Sequence, residues 1–123
     1  MKILITGAKG FMGKNLVAEL KNRKYADIFE YDIGADFTLF EKYCKEADFI
    51  FHLAGVNRPK EQSEYMEGNY GFTYTLLDTL KKYKNSCPIM MSSSIQFISK
   101  RVFHFKQALV VLLWRSHVFL DKL

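Results

Sequence analysis

Gly7, Gly10 and Gly13 stand three residues apart near the N-terminus, and this spacing suits the holding of a pyrophosphate. Glycine permits a tight turn, a close approach of backbone to phosphate, and close packing of a helix on the preceding strand. A helix starting there adds free N–H groups and the positive end of its dipole. Lys9, Phe11 and Met12 belong to the same loop and are counted with it as cofactor-binding. Asp32 closes the next apolar run, where a carboxylate can accept from an adenosine ribose 2′-hydroxyl. Asp32 favours NAD(H), whereas Lys9 could pair with the 2′-phosphate of NADP(H), so these two residues leave the cofactor form open.

His52-Leu53-Ala54-Gly55 ends a third apolar run. Leu53, Ala54 and Gly55 would let the backbone pass beside a flat cofactor, at the strand end where parallel sheets place their ligands. His52 alternates with inward apolar positions and reads as structural rather than catalytic. Asn57 and Arg58 follow in a loop, and Arg58 could hold the phosphate of a sugar nucleotide. Asn69 falls on the apolar face of a helix, where a polar side chain needs a partner and could brace backbone near the site. Ser92, Ser93 and Ser94 end a fourth strand and could offer hydroxyls to a substrate carbonyl. Cys44 and Cys87 have no CxxC spacing and read as buried free thiols in a reducing, cytoplasmic setting, with no metal site expected.

The elements that must position these residues alternate. Strands are expected at Lys2–Thr6, Asp27–Tyr31, Phe49–Leu53 and Cys87–Met91, with Ser92 to Ser94 at the carboxyl end of the last. Helices are expected at Lys14–Arg23, from Thr38 to about Glu46, and along the face formed by Tyr65, Asn69, Phe72, Leu76, Leu80 and Tyr83. Thr38, with Glu41 three residues on, has the form of a capping box. Strand and helix in alternation predict an α/β fold, a parallel sheet joined by right-handed crossovers.

Thr6 to Gly13, His52 to Gly55, Asn69 and Ser92 to Ser94 fall in the order of the short-chain dehydrogenase/reductase superfamily. They resemble its extended branch, the NAD-dependent epimerases, dehydratases and reductases of sugar nucleotides. The wording at 52–59 and 91–96 is similar to that of reductases in capsular polysaccharide biosynthesis. The resemblance covers residues 1–96. It implies the N-terminal, incomplete part of a doubly wound Rossmann-type domain, without the usual extra strand and helix between Asp32 and Phe49. It also implies NADP(H) as cofactor, a UDP-linked sugar as substrate, a homodimeric parent enzyme, and hydride transfer at C4 of a 6-deoxy-N-acetylhexosamine. Ser94 would orient the carbonyl beside a Tyr-x-x-x-Lys pair that supplies the proton. No Tyr-x-x-x-Lys occurs in the 123 residues. The tyrosine would fall near Phe103, with Lys106 and Gln107 at the lysine position, and a phenyl ring has no proton to donate.

Composition divides the chain. Hydrophobic residues make up 49% and aromatics 15%, which excludes a disordered protein. The longest apolar run, Ala108 to Trp114, is too short to span a bilayer, and the apolar start meets Thr6-Gly7 before a signal peptide could develop. The net charge of +5 is uneven: residues 1–96 carry +1 and residues 97–123 carry +4. A basic tail of this kind gives no reason to expect a nucleic-acid partner. All seven Gly, both Pro and all seven Tyr precede Gln96. Residues 1–96 are therefore read as the dinucleotide-binding part. Residues 97–123 are read as a divergent apolar and basic tail of frameshifted or foreign origin, able to form an apolar helix but lacking turn residues to reach another strand. Two functions fit: a truncated sugar-nucleotide reductase, or a non-catalytic dinucleotide-binding module with an interaction tail.

Overall fold

Ile3 to Thr6 is aliphatic and β-branched, and all four of its residues are buried, as a central strand requires. The computed structural model describes residues 1–55, 71–94 and 109–115, of which 92–94 and 109–115 are described as backbone. The elements in chain order are β1 (Ile3–Thr6), α1 (Phe11–Asn22), β2 (Ile28–Tyr31), α2 (Phe37–Glu46), β3 (Phe49–His52), α3 (Phe72–Lys82), β4 (Pro88–Ser94) and β5 (Leu109–Arg115). They form one sheet in the order β2-β1-β3-β4-β5. The first four strands run parallel and carry out the expected Rossmann-like plan. Between Asp32 and Phe49 the only described element is α2, so β2 lies at the sheet edge.

Alternation along β1 divides its side chains between two layers. Ile3 and Ile5 pack against Val17 and Leu20 of α1 on one face. Leu4 joins Ile50 and Ile89 on the other, beneath Phe40 and Cys44 of α2 and Leu76 and Leu80 of α3. Leu4, Phe40, Ile50 and Leu76 are almost fully buried. Burying a side chain of this size stabilises by about 1.5–3 kcal/mol, so this second layer is the main core. Both cysteines are buried free thiols within it. Burial pushes the Cys44 thiol up to about 12 and the Cys87 thiol up to about 11, so neither supplies a thiolate near neutral pH.

Two expectations are corrected. The cap of α2 is Asp36, not Thr38: the Asp36 carboxylate accepts from the Thr38 amide at 2.9 Å, and the helix begins at Phe37. A carboxylate satisfies the orphan amide and also meets the positive end of the helix dipole, an advantage a threonine hydroxyl lacks. The apolar run near position 110 is strand rather than helix. Leu109–Arg115 pairs antiparallel with β4 along seven residues, from Pro88↔Arg115 to Ser94↔Leu109. Valine and tryptophan favour a pleated surface, and the open edge of β4 offers the backbone partners that an isolated helix would have to supply itself.

Asn85 ties the α2/α3 layer to the sheet. Its side-chain amide donates to the carbonyls of Cys44 at 2.6 Å and Ala47 at 2.9 Å, at the end of α2, and its carbonyl accepts from the Cys87 amide at 3.0 Å, just before β4. Its own amide closes α3 on the Leu80 carbonyl. Asn85→Ala is expected to destabilise the fold by about 2 kcal/mol, because three partly buried backbone groups lose their partner. Asn85→Asp, which cannot donate, should cost at least as much, and urea unfolding of the two variants checks both.

Candidate functional site

The carboxyl ends of β1 and β3 meet at one edge of the sheet because Thr6 and His52 are in register, with Met91 of β4 opposite His52. Chain leaving β1 turns at Gly7, whose φ of +74° an L side chain rarely adopts. A Cβ there would also lie 2.7 Å from the Ala54 nitrogen and 2.8 Å from the Leu53 carbonyl carbon. Gly7 is therefore required twice, by its dihedral and by the β3 exit beneath it. Gly13 is required by packing: a Cβ would overlap the Gly7 carbonyl oxygen and come within 2.7 Å of Ala8 Cα. Gly10 is different, since its Cβ would meet only the Gly7 carbonyl oxygen, at 3.3 Å. Gly10 is the least crowded of the three, and a side chain there would need that oxygen to yield by only a few tenths of an ångström.

The loop's hydrogen bonds fix its height. The Gly7 amide donates to the Tyr31 carbonyl at 2.9 Å, and the Gly10 amide to the Gly7 carbonyl at 3.1 Å. The Lys9 amide donates to Asp32 Oδ2 at 2.7 Å. Asp32 thus holds the glycine loop with one carboxylate oxygen. On the β3 side, the Leu53 amide donates to the Thr6 carbonyl at 3.1 Å.

The first turn of α1 contains no acidic residue, and Gly10 supplies no side-chain cap. The amides that open a helix are then available to an anion, with the positive end of the dipole behind them. Lys9 is exposed, Phe11 is 86% exposed and Met12 is 42% exposed. The structure therefore brings together Gly7, Lys9, Gly10, Phe11, Met12, Gly13, Asp32, Leu53, Ala54 and Gly55. Ser94 ends β4, three residues beyond the line joining Thr6, His52 and Met91. Asn57, Arg58, Asn69, Phe103, Lys106 and Gln107 lie outside the described residues.

His52 is buried and hydrogen-bonded at both ring nitrogens. Its Nδ1 is 2.7 Å from Thr6 Oγ1, and its Nε2 is 2.8 Å from Thr73 Oγ1. The sequence reading singled out neither threonine for a role. Thr73 had one readable signal, its place four residues after Asn69, where a second polar residue would share one helix side. Thr6 had only its place at the end of a buried strand.

The structure is an α/β sheet of four parallel strands and one antiparallel strand, with a glycine-rich strand-to-helix turn at the carboxyl edge of the parallel part, the plan of dinucleotide-binding domains. Residues 3–101 match the NAD dependent epimerase/dehydratase family, and the chain belongs to that family. It is similar to UDP-2-acetamido-2,6-beta-L-arabino-hexul-4-ose reductase of Pseudomonas aeruginosa, with 38% identity over 96 residues, 78% of this chain and 26% of the relative. Among solved structures it resembles the capsular polysaccharide assembling protein CapF from Staphylococcus aureus, at 45% identity and a TM-score of 0.64, covering 78% of this chain and 26% of that one. A UDP-N-acetylglucosamine 4-epimerase from Bacillus cereus, at 22% identity and a TM-score of 0.65 over 89% of this chain and 44% of that one, shares the fold. The chain spans about a quarter of the length of the reductase and of CapF. No helix among the described residues is long and apolar enough to cross a membrane.

Burial lowers the His52 imidazole from 6.5 to about 4. In the unfolded chain His52 takes up its proton near pH 6.5, whereas the folded chain resists it until about pH 4. The stability held by neutral His52 is therefore complete above pH 6.5 and declines as pH falls through this window, by about 3 kcal/mol in all. Urea unfolding between pH 4 and 7 should show this decline, and His52→Gln should remove that part of the slope.

Proposed function

We propose that this chain is the dinucleotide-binding part of a sugar-nucleotide reductase of capsular polysaccharide synthesis, acting in the cytoplasm. The observation that carries the reading is the glycine loop. Its turn is built to bring backbone against a pyrophosphate, over a helix start that no acid and no side-chain cap neutralises. The residues present fit a nicotinamide dinucleotide. Gly7, Gly10 and Gly13 shape the phosphate cradle, the amides of Phe11 and Met12 face the anion, and Leu53, Ala54 and Gly55 form the floor. When bound, the cofactor would supply or accept a hydride.

The cofactor form we propose is NAD(H). Asp32 is pinned by the Lys9 amide, which leaves Oδ1 for the ribose hydroxyls and sets a fixed negative charge where a 2′-phosphate would come. The exposed Lys9 side chain is the group that could offset that charge and admit NADP(H).

On the substrate side, the reading follows the P. aeruginosa relative. Hydride would pass to C4 of a UDP-linked 4-keto-6-deoxy-N-acetylhexosamine, and a proton to its oxygen. Ser94 would orient that carbonyl, Asn57 and Arg58 would lie towards the sugar nucleotide, and Asn69 would brace the backbone. The parent enzyme would work as a homodimer. Within these 123 residues, however, the Tyr-x-x-x-Lys proton donor is absent, and Phe103 cannot replace it. This absence supports a second reading, a module that binds dinucleotide without turning over sugar. A tail beyond Gln96 of frameshifted or foreign origin would account for the missing pair. Translating the DNA after that codon in the other two frames tests the frameshift: Tyr-x-x-x-Lys in continuation supports it, and stop codons in both overturn it and leave the foreign origin.

Calorimetric titration of the folded chain with NADH and NADPH tests the site. NADH is expected to bind more tightly, and binding of neither nucleotide would overturn the reading. Gly10→Val should abolish binding while the chain still folds, because position 10 is the least crowded of the three glycines. Asp32→Asn keeps an acceptor for the Lys9 amide but removes the charge, so it should shift the preference towards NADPH by about tenfold. Offered a UDP-linked 4-keto sugar, the 123-residue chain should oxidise no NADH, and steady oxidation would contradict the loss of the proton donor.

A further inference from the structure

Thr6 and His52 are register partners on neighbouring strands, and they are 0% and 3% exposed. They sit on the apolar layer beside Phe72, whose ring centroid lies 5.7 Å from that of His52. Polar groups buried there must satisfy one another. The Ala54 amide donates to Thr6 Oγ1 at 3.4 Å, so the threonine oxygen is already accepting. Assigning its single hydroxyl proton to His52 Nδ1, 2.7 Å away, gives that proton an acceptor among the described groups. A neutral imidazole whose Nδ1 accepts carries its proton on Nε2, and that N–H donates to Thr73 Oγ1 at 2.8 Å. Donation runs in one direction from Ala54 through Thr6 and His52 to Thr73 of α3. The opposite tautomer would aim two N–H groups at Thr6 Oγ1 and leave the threonine proton without an acceptor in this chain of groups.

The first member of that chain is the floor of the glycine loop. Ala54 nitrogen is the atom that a Cβ at Gly7 would approach to 2.7 Å, so no side chain separates the β3 exit from the loop. We infer that His52 is a positioning residue for dinucleotide binding: with Thr6 and Thr73 it fixes the Ala54 amide, and through that contact the height of the glycine loop. This rests on reading the loop as a dinucleotide site.

The test compares NADH affinity with stability. Thr6→Val keeps the shape of the side chain and removes the relay hydroxyl, so the Kd for NADH should rise about tenfold or more. Thr6→Ser, which restores the hydroxyl, should bring the Kd back to the wild-type range. Thr79→Val is the control: Thr79 is buried and donates to the Thr75 carbonyl within α3, outside the relay. It should lower Tm and leave the Kd unchanged. If Thr6→Val does not fold, Thr73→Val cuts the same relay at its helix end and should weaken NADH binding likewise. Nitrogen-15 spectra of the unmutated chain should show His52 protonated at Nε2 and bare at Nδ1. An unchanged Kd in the relay variants, an equal loss in Thr79→Val, or the Nδ1–H tautomer would overturn the inference. A wild-type chain that binds no dinucleotide would instead overturn the reading of the site itself, and the inference with it.

Discussion

Everything at the carboxyl edge of the sheet depends on how closely β1 and β3 exits approach each other. Gly7 turns at φ +74° with its Cα against the backbone of Leu53 and Ala54, and Gly13 brings α1 onto the same turn. Backbone contacts of this kind have no side chain to yield. A methyl group at position 7 or 13 would have to move a strand exit or a helix, so the height of the loop is set by main chain alone. The position of the α1 start follows from that constraint, because the turn and the helix are both held against neighbouring backbone.

The two layers of the fold divide the work. The α1 layer is the smaller one, and its buried apolar residues seat α1 on β1. The α2/α3 layer is larger and rich in rings: Tyr31, Phe40 and Phe72 lie within 4.8–6.0 Å of one another by ring centroid, with His52 beside Phe72. Placing an imidazole and two hydroxyls in such surroundings is costly unless each finds a partner, because low local polarity strengthens good hydrogen bonds and penalises missing ones alike. The relay meets that condition, and the same low polarity keeps His52 neutral.

Most of the fold at this edge of the sheet was legible in the residues. Glycine at three-residue spacing has few physical uses between a strand and a helix, and Asp32 and Ala54 stood where alternation placed strand ends. The four parallel strands were equally legible, since their runs are aliphatic and bounded by turn residues. The cap of α2 was misread because Thr38 and Asp36 are both good caps, and the choice depends on where the preceding chain ends. Leu109–Arg115 was misread because a short apolar run has no period of its own; what settles it is the unpaired edge of β4, which lies outside the run. Thr6 and Thr73 stayed hidden for a related reason. Their partner is a histidine that reaches one through sheet register and the other across layers, and local spacing contains neither relation.

Binding and chemistry draw on different parts of such a fold. In dinucleotide-binding folds a pyrophosphate is held by backbone amides and a helix dipole, a task that needs little beyond the sheet that sets their height. Hydride transfer to a carbonyl also needs an acid beside the oxygen, because the alkoxide that forms has to be protonated. That acid must be a particular side chain with a tuned pKa, and no backbone arrangement can stand in for it. A glycine-rich strand-to-helix turn can therefore form within residues that contain no Tyr-x-x-x-Lys pair.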